Sequence, residues 1–502
     1  MAFTHGVYTR EVLTSLLSPV DSSAGLPVVV GTAPIHLGDI SNVNKPQLVS
    51  TYNEAVELFG YSDDWEKYTL CEFMYSQFVV YGQSPCVLIN VLDPSKAAHK
   101  SSVTVHVQQL IGTNKSVTLG KDILLANLEV TNINPEVDDE FGEGETPISK
   151  VIYTKDTDYK LEYNEEGDLV LSVVTGGALV GNNDFYVKCE KLKPENVSNS
   201  DIIGGVDLQT GKYTGLELIS RVYPKFAMIP GLIVCPKFSE SPEVAAIMTT
   251  KAQGINGLFS AMAIVDIPSD EDTGANSYSK VNEWKTSHSY NSQYMIACWP
   301  KVKLGEKIYH FSTHLAGLIN SIDSGNEDIP YSSPSNHTLQ IDSCMNASGK
   351  EIDLGLDEAN ILNSIGVVTA LNWSGGWKAW GNRTAIYPSS TDVKDCFIPV
   401  RRMFNWLQND FITTFWQRVD EPLNRRLVRT ILNSYNVNLN GLAAREIILG
   451  GNIEFLDSEN PSTNLLDGHL IFHINVTPAT PAETIEGIFE FDVNNLQALF
   501  SD

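Results

Sequence analysis

Four groups of residues have types suited to chemistry. The run Gly205-Val-Asp-Leu-Gln-Thr-Gly211-Lys212-Tyr213-Thr214 has the outline of a phosphate loop. In a working loop, backbone N–H groups cradle the phosphates and a Ser or Thr after the Lys holds magnesium. Here the spacing is wrong and Tyr213 takes the place of that hydroxyl. His310 and His314 stand four apart and could share a helix face as a metal pair. No Glu follows His310, however, and Ser-Thr-His314-Leu-Ala reads as a packed helix. The many carboxylates could supply the two that a glycosidase needs at a set separation, which sequence does not fix. The densest unusual cluster is Trp373-Ser-Gly-Gly-Trp377-Lys-Ala-Trp380-Gly381-Asn382-Arg383-Thr384. It reads either as an aromatic ligand platform or, preferably, as a tight turn with Trp anchors and an Arg making several hydrogen bonds.

Other signatures are missing. No Gly-x-Gly-x-x-Gly follows a strand pattern, and there is no Gly-x-Ser-x-Gly elbow. The seven cysteines are scattered singly, so buried reduced thiols are expected. Met1-Ala2-Phe3-Thr4-His5 lacks a basic region followed by an apolar run, so no secretory signal is expected. The glycosylation triplets at Asn372 and Asn382 then carry no such meaning. No window is long and apolar enough to span a membrane. With 61 acidic against 34 basic residues, net charge −27, the chain is unsuited to bind nucleic acid over a broad face. The expectation is a protein with no catalytic residues, no cofactor and no metal.

The elements around these residues divide the chain. Residues 26–36 and Cys86 to Leu92 read as buried strands, and Tyr52 to Gly60, capped by Thr51, as a helix. Glu66 to Tyr81 reads as a second helix. From about Ser95 to Ser200 the pattern becomes alternating and turn-rich, with a hairpin at Asn164-Glu-Glu-Gly167. From Ile203, strands at Phe226 to Cys235, Phe259 to Ile267, Gln293 to Val302 and Val367 to Asn372 alternate with helices. The helices are opened by Ser241-Pro242-Glu243, Ser277, Ser312 and Asp357. That order predicts a parallel sheet covered on both faces. Val400 to Gln417 reads as a longer helix, and another is expected to open at Glu421-Pro422 with Asp420 as its cap.

The two ends look unfinished. His5-Gly6-Val7-Tyr8-Thr9-Arg10-Glu11-Val12 reads as a strand with no neighbour. So do the runs Gly468 to Val476 and Glu483 to Val493, which flank Thr477-Pro478-Ala479-Thr480-Pro481. Exposed strand edges pair with other chains, so self-assembly is the expectation.

At the Trp380-Gly381-Asn382-Arg383-Thr384 string the chain resembles the contractile tail sheath proteins of phages and related bacteriocin particles. His5-Gly6-Val7, Asp207 to Glu217 and Thr477 to Ile485 match that family's N-terminal arm, the opening of its central region and its C-terminal arm. The resemblance covers roughly residues 1–95 and 203–502. It implies a fold of α/β plus β: a central α/β core with C-terminal helices and hairpin, a β-rich insertion and extended arms. The expected divisions are an N-terminal arm (1–25), the first part of the core (26–95), a β-rich surface insertion (96–202), the central core (203–370), a C-terminal sheath domain (371–480) and a C-terminal arm (481–502).

The resemblance also implies a structural subunit rather than an enzyme. Its partners would be copies of itself in rings, usually sixfold, a tail tube, and baseplate and tail terminator proteins, with no nucleic acid and no membrane insertion. It would be assembled in the host cytoplasm into a virion tail or headless contractile particle. Gly6, Val7 and Tyr8, and Ile485, Gly487, Phe489 and Phe491, are the expected inter-subunit arm contacts, with Pro478 and Pro481 setting the turn. Trp380, Asn382 and Arg383 are expected to buttress the core. Arg401 and Arg402 could face the tube or an acidic neighbour, or pair within the chain. A cytosolic acidic hydrolase with paired carboxylates, or another tail or capsid protein, is the alternative.

Overall fold

The computed structural model describes residues 24–110, 115–135, 149–181 and 184–500. Its centre is an eight-stranded sheet. In spatial order the strands are Gln47–Val49, Cys86–Asn90, Pro27–Gly31, Leu232–Val234, Met262–Asp266, Met295–Cys298, Val367–Trp373 and Gly376–Trp380. The six inner strands are parallel, and the strand at each edge is antiparallel. A parallel strand covered on both faces must be apolar on both. Pro27–Gly31, Cys86–Asn90 and Met262–Asp266 are accordingly buried at every position. Helices Pro242–Gln253 and Phe311–Gly325 both pack on Met262–Asp266. Thr51 caps helix Tyr52–Phe59, its hydroxyl accepting from the Glu54 N–H at 3.2 Å.

Between Cys86–Asn90 and Leu232–Val234 the described chain builds two larger antiparallel sheets besides the small pair Gly205–Val206 with Tyr213–Thr214. One has four strands, Lys100–Val107, Phe185–Leu192, Ile123–Thr131 and Ile152–Tyr153. The other has three, Ser116–Lys121, Asp168–Val173 and Tyr159–Tyr163, with the expected turn at Asn164–Gly167. They share a core of their own that includes Val130, Leu169, Leu171, Phe185 and Val187. A further core holds the C-terminal part, where helices Ile398–Phe415 and Arg425–Ala444 pack with a two-stranded sheet, Ile448–Glu454 against His473–Pro478. Among the described residues no helix is long and apolar enough to cross a membrane.

Several elements differ from expectation. Phe226 to Cys235 is not one strand: helix Val222–Phe226 ends there, and the strand is Leu232–Val234, beyond Pro230. Gln293 to Val302 is two strands in two sheets, Met295–Cys298 and Lys301–Leu304, because Pro300 has no N–H to continue the ladder. Glu66 to Tyr81 starts its helix only at Thr69. The helix expected at Glu421-Pro422 opens at Arg425, where the Asn424 side chain accepts from the Leu427 N–H at 3.0 Å. Asp420 is not its cap and sits at a positive φ of 67°. The strand expected from Gly468 starts at His473, and its partner is Ile448–Glu454 rather than the later run. Glu483 to Val493 is not a strand at all.

Candidate assembly surface

The Trp cluster forms a β-hairpin turning at Ser374-Gly375. Two of its three indoles are fastened to neighbouring oxygens, which favours the anchor reading over a ligand platform, while Trp373 is 57% exposed. Trp377 Nε1 donates to the Asp342 carbonyl at 2.9 Å, and Trp380 Nε1 to Asn360 Oδ1 at 3.0 Å. Gly381 follows with φ +138°, and a Cβ there would stand 2.7 Å from Asn363 Oδ1 and 3.0 Å from Val368 Cα. Only glycine fits that approach. It swings the chain off the sheet and delivers Arg383 to the start of the C-terminal arm.

Arg383 grips Glu483 through two parallel N–H···O bonds, Nε to Oε1 at 2.7 Å and Nη2 to Oε2. Its guanidinium lies 3.9 Å over the Phe397 ring and 4.5 Å from that of Tyr387, and Nη1 donates to Cys396 Sγ at 3.0 Å. Stacking plus a two-pronged carboxylate contact is what a guanidinium does and an ammonium cannot. Trp380, Asn382 and Arg383 were expected to buttress the core. They are half-buried instead and line a cleft of about 760 Å3 whose opposite wall is Pro481 to Ile485. The sequence string reads as core because its aromatics and glycines are those of a packed turn. Its charged member is spent on fixing the exit of the arm.

Beyond Glu483 the chain alternates. Ile485, Gly487, Phe489 and Phe491 take alternate positions; Glu486, Glu490 and Asp492 take the intervening ones together with Ile488, which is 89% exposed. The apolar members have no cover: Ile485 is 89% exposed, Phe489 98% and Phe491 78%. Pro478 closes the strand His473–Pro478 and is buried; Pro481 lines the cleft. Among the described residues no further strand joins the two-stranded sheet that precedes the arm. Beside it lies an apolar groove of about 380 Å3 lined by Leu258, Phe404, Phe411, Tyr435, Ile474 and Val476.

Gly6, Val7 and Tyr8 lie outside the described residues. The described chain begins at Ala24, whose carbonyl accepts from Arg402 Nη2 at 3.3 Å. Arg401 and Arg402 do not face outward, being 4% and 3% exposed. Arg402 holds buried Asp323 with two bonds, Nη1 to Oδ1 at 3.0 Å and Nη2 to Oδ2. Arg401 donates to Asn405 Oδ1 at 3.0 Å and Asp395 Oδ1 at 3.2 Å. Both are internal pairs, as buried cations must be. The exposed cations that sequence reasoning passed over are Arg425, Arg426 and Arg429, on the first turns of the last long helix. Among the described residues no carboxylate pairs with them. Exposed Trp416, Val419 and Leu423 lie just upstream. The signal is a local one, an Arg-Arg-x-x-Arg run in a strongly acidic chain.

The remaining candidates for chemistry are accounted for within the fold. His310 Nδ1 meets Glu72 Oε2 at 2.8 Å, and the His310 N–H donates to Glu72 Oε1 at 2.6 Å. His314 is fully buried, with Nδ1 3.2 Å from the Tyr81 hydroxyl, and burial lowers its pKa to about 3. Such a histidine is a core residue. Among the described residues no three His, Cys, Asp or Glu side chains converge to hold a metal. Gly205 to Thr214 is a small hairpin with Leu208 93% exposed at its tip, not a strand-to-helix loop. All seven cysteines are free and buried.

No family model matches the chain. The tail sheath protein of Burkholderia phage BcepMu is 24% identical over 490 residues, spanning 96% of this chain and 95% of that protein. The tail sheath protein of Escherichia phage P2 is 24% identical over 299 residues, 57% of this chain and 69% of that one. Among solved structures, the sheath complex of the extracellular contractile injection system PVC, in its contracted state, aligns over 99% of each chain. The TM-score is 0.56 at 14% identity. The fold is that of contractile sheath subunits.

Proposed function

We propose that this chain is the repeating subunit of a contractile tail sheath, polymerising helically around a tail tube by exchanging its terminal arms. The observation that carries this is the C-terminal segment. Ile485, Ile488, Phe489 and Phe491 stand at least 78% exposed, on a chain whose exit is held by Arg383 and Glu483. Burying one such side chain is worth about 1.5–3 kcal/mol. A neighbouring copy offers a place for them: the apolar groove beside Ile474 and Val476, and the edge of the two-stranded sheet, which no other described strand pairs. Donor and acceptor are different surfaces of one chain, so the contact is heterologous and propagates. Gly6, Val7 and Tyr8 supply the second arm.

The activity is mechanical rather than enzymatic. Work comes from the difference in interface free energy between two packings, set off at the baseplate. A difference of about 1–2 kcal/mol per subunit sums to hundreds over a tail. Sixfold rings, a tail terminator, assembly in the host cytoplasm and residence in a virion tail or headless particle belong to this reading. In it the tube contact falls to Arg425, Arg426 and Arg429 rather than to Arg401 and Arg402, and the insertion 96–202 points outward.

The test is expression of the chain alone and of a version ending at Thr480, followed by sedimentation and negative-stain electron microscopy. The full chain is expected to form hollow tubes. The truncated chain is expected to remain a folded monomer, its critical concentration raised on the order of a hundredfold or more. Normal tubes from the truncated chain would remove arm exchange from the account.

A further inference from the structure

The insertion meets the body along a seam built around a buried histidine with nothing to bond to. His36, in the turn Ile35–Leu37 of the body, is 8% exposed, and neither Nδ1 nor Nε2 has a hydrogen-bond partner. Its ring packs edge-on against Tyr163 of the insertion, centroids 5.6 Å apart at 71°. The Tyr163 hydroxyl donates back to the Ile123 carbonyl at 2.6 Å. Beside them Tyr68 of the body donates to Asp122 Oδ1 of the insertion at 2.5 Å, and the Leu192 N–H donates to the Asp122 carbonyl at 2.7 Å. The turn carrying Gly167 approaches Leu37 closely enough that a Cβ would sit 3.1 Å from its Cδ1.

The insertion is tied to the body a second time, at its root. There the entering and leaving chains are joined by Lys193 N–H to the His99 carbonyl at 2.8 Å and by Asn196 Nδ2 to the Ala98 carbonyl at 2.9 Å. Asp122 and Leu192 adjoin this root, Leu192 being next to Lys193 and buried with Leu124 in the body's core, whereas the Tyr163 ring and the Gly167 turn dock beyond it; root and docking face make a hinge and a clasp.

We propose that the His36 seam is an acid-released clasp: protonation of the imidazole frees the Tyr163 face from the body while the root holds. A neutral imidazole tolerates a dry edge contact with a tyrosine, whereas an imidazolium there would have two N–H donors and no acceptor. The charged group facing His36 is Asp122, already engaged by Tyr68. Burial lowers the His36 pKa to about 4, with Asp122 opposing in part. Undocked and solvated, the ring titrates near 6.5. The docked state is therefore unaffected above about pH 6.5 and loses ground as pH falls from there toward 4, because the open state binds the proton more tightly. By pH 5.5 the opening equilibrium should shift about tenfold relative to pH 7.5.

The measurement is hydrogen exchange by mass spectrometry on the full chain at pH 7.5 and 5.5, corrected for intrinsic rates. Both lie above the isoelectric point near 4.7, so the chain keeps its negative charge. Peptides holding Ile35–Leu37 and Tyr159–Tyr163 are expected to lose about tenfold in protection at pH 5.5. Peptides from Met262–Asp266 are expected to stay constant, and His36→Phe should make the seam insensitive to pH. Equal protection at both pH values, or the same acid loss in His36→Phe, would overturn the clasp. If His36→Phe does not fold, the His36 ring signal in histidine-labelled wild type decides: a midpoint well below 6.5 supports the clasp, and one at 6.5 refutes it.

Discussion

Met262–Asp266 and Glu483–Val493 are both rich in large apolar side chains, and the fold treats them oppositely. Met-Ala-Ile-Val-Asp lies between two parallel strands and is buried throughout. Glu-Thr-Ile-Glu-Gly-Ile-Phe-Glu-Phe-Asp-Val carries four large hydrophobic residues that are at least 78% exposed. The difference is in the interruptions. The inner strand has no charge before its last residue, so neither face can be wet. The arm has an acid every few residues, so it cannot be buried whole, and its large apolar side chains, Ile488 among the acids included, are left available to a partner. Acids at Glu486, Glu490 and Asp492 also keep a lone subunit soluble while the phenylalanines wait. Substitutions should therefore separate two quantities that are easily confused, the stability of one subunit and the affinity between subunits.

The largest effect on stability should come from Asp323→Ala. It leaves Arg402 as a buried cation with only the Ala24 carbonyl beside it. An orphaned buried charge costs about 3–5 kcal/mol, read as a fall in the urea midpoint. Ile264→Ala, in the middle of the central sheet at 0% exposure, follows at about 2–5 kcal/mol. In both variants the fraction that remains folded should still assemble. Phe489→Ala should do the reverse. The side chain is 98% exposed in the subunit, so melting should not move. Assembly should weaken by about 1.5–3 kcal/mol, a rise of roughly ten- to a hundredfold in critical concentration by sedimentation. A melting shift in Phe489→Ala comparable to that of Ile264→Ala would erase the distinction between the two regions.

Legibility in the sequence follows the same divide. The central sheet was readable because a strand buried on both faces is an unbroken apolar run, and Val28-Val-Val30 and Met262 to Val265 are that. Capping at Thr51 was readable because the signal is local. Strand Ile448–Glu454 was not, because Gly450-Gly451-Asn452 breaks its alternation and its partner lies beyond a long connection. Glu483 to Val493 has strand composition but no partner strand among the described residues, so composition alone misplaced it. Arg401 and Arg402 were the harder case. Sequence shows an Arg pair, but the buried Asp323 that answers Arg402 sits 79 positions earlier, on another helix. The clasp at His36 had no signal at all, since a lone histidine acquires meaning only from what the fold packs against it.

The smallest effect should come from the point where the two regions meet. Glu483→Gln removes the carboxylate that Arg383 grips at the root of the arm. The Arg383 side chain is 16% exposed and that of Glu483 39%, so solvent screens the pair. Its loss should cost the subunit no more than about 1 kcal/mol. The guanidinium also keeps its seat over Phe397, so the wall of the cleft should stand. What changes is the direction in which the arm leaves. An arm held at its root reaches a neighbour's groove at a high effective concentration; one that swings from Pro481 samples more directions. Glu483→Gln should therefore raise the critical concentration several-fold with melting nearly unchanged. Arg383→Lys should do at least as much, since an ammonium keeps the charge but loses both the fork and the stacking. If the effects of Glu483→Gln and Arg383→Lys on assembly add in the double variant, the two residues act separately and the root is not a latch. If the double variant is no worse than Arg383→Lys alone, the pair is the unit that aims the arm.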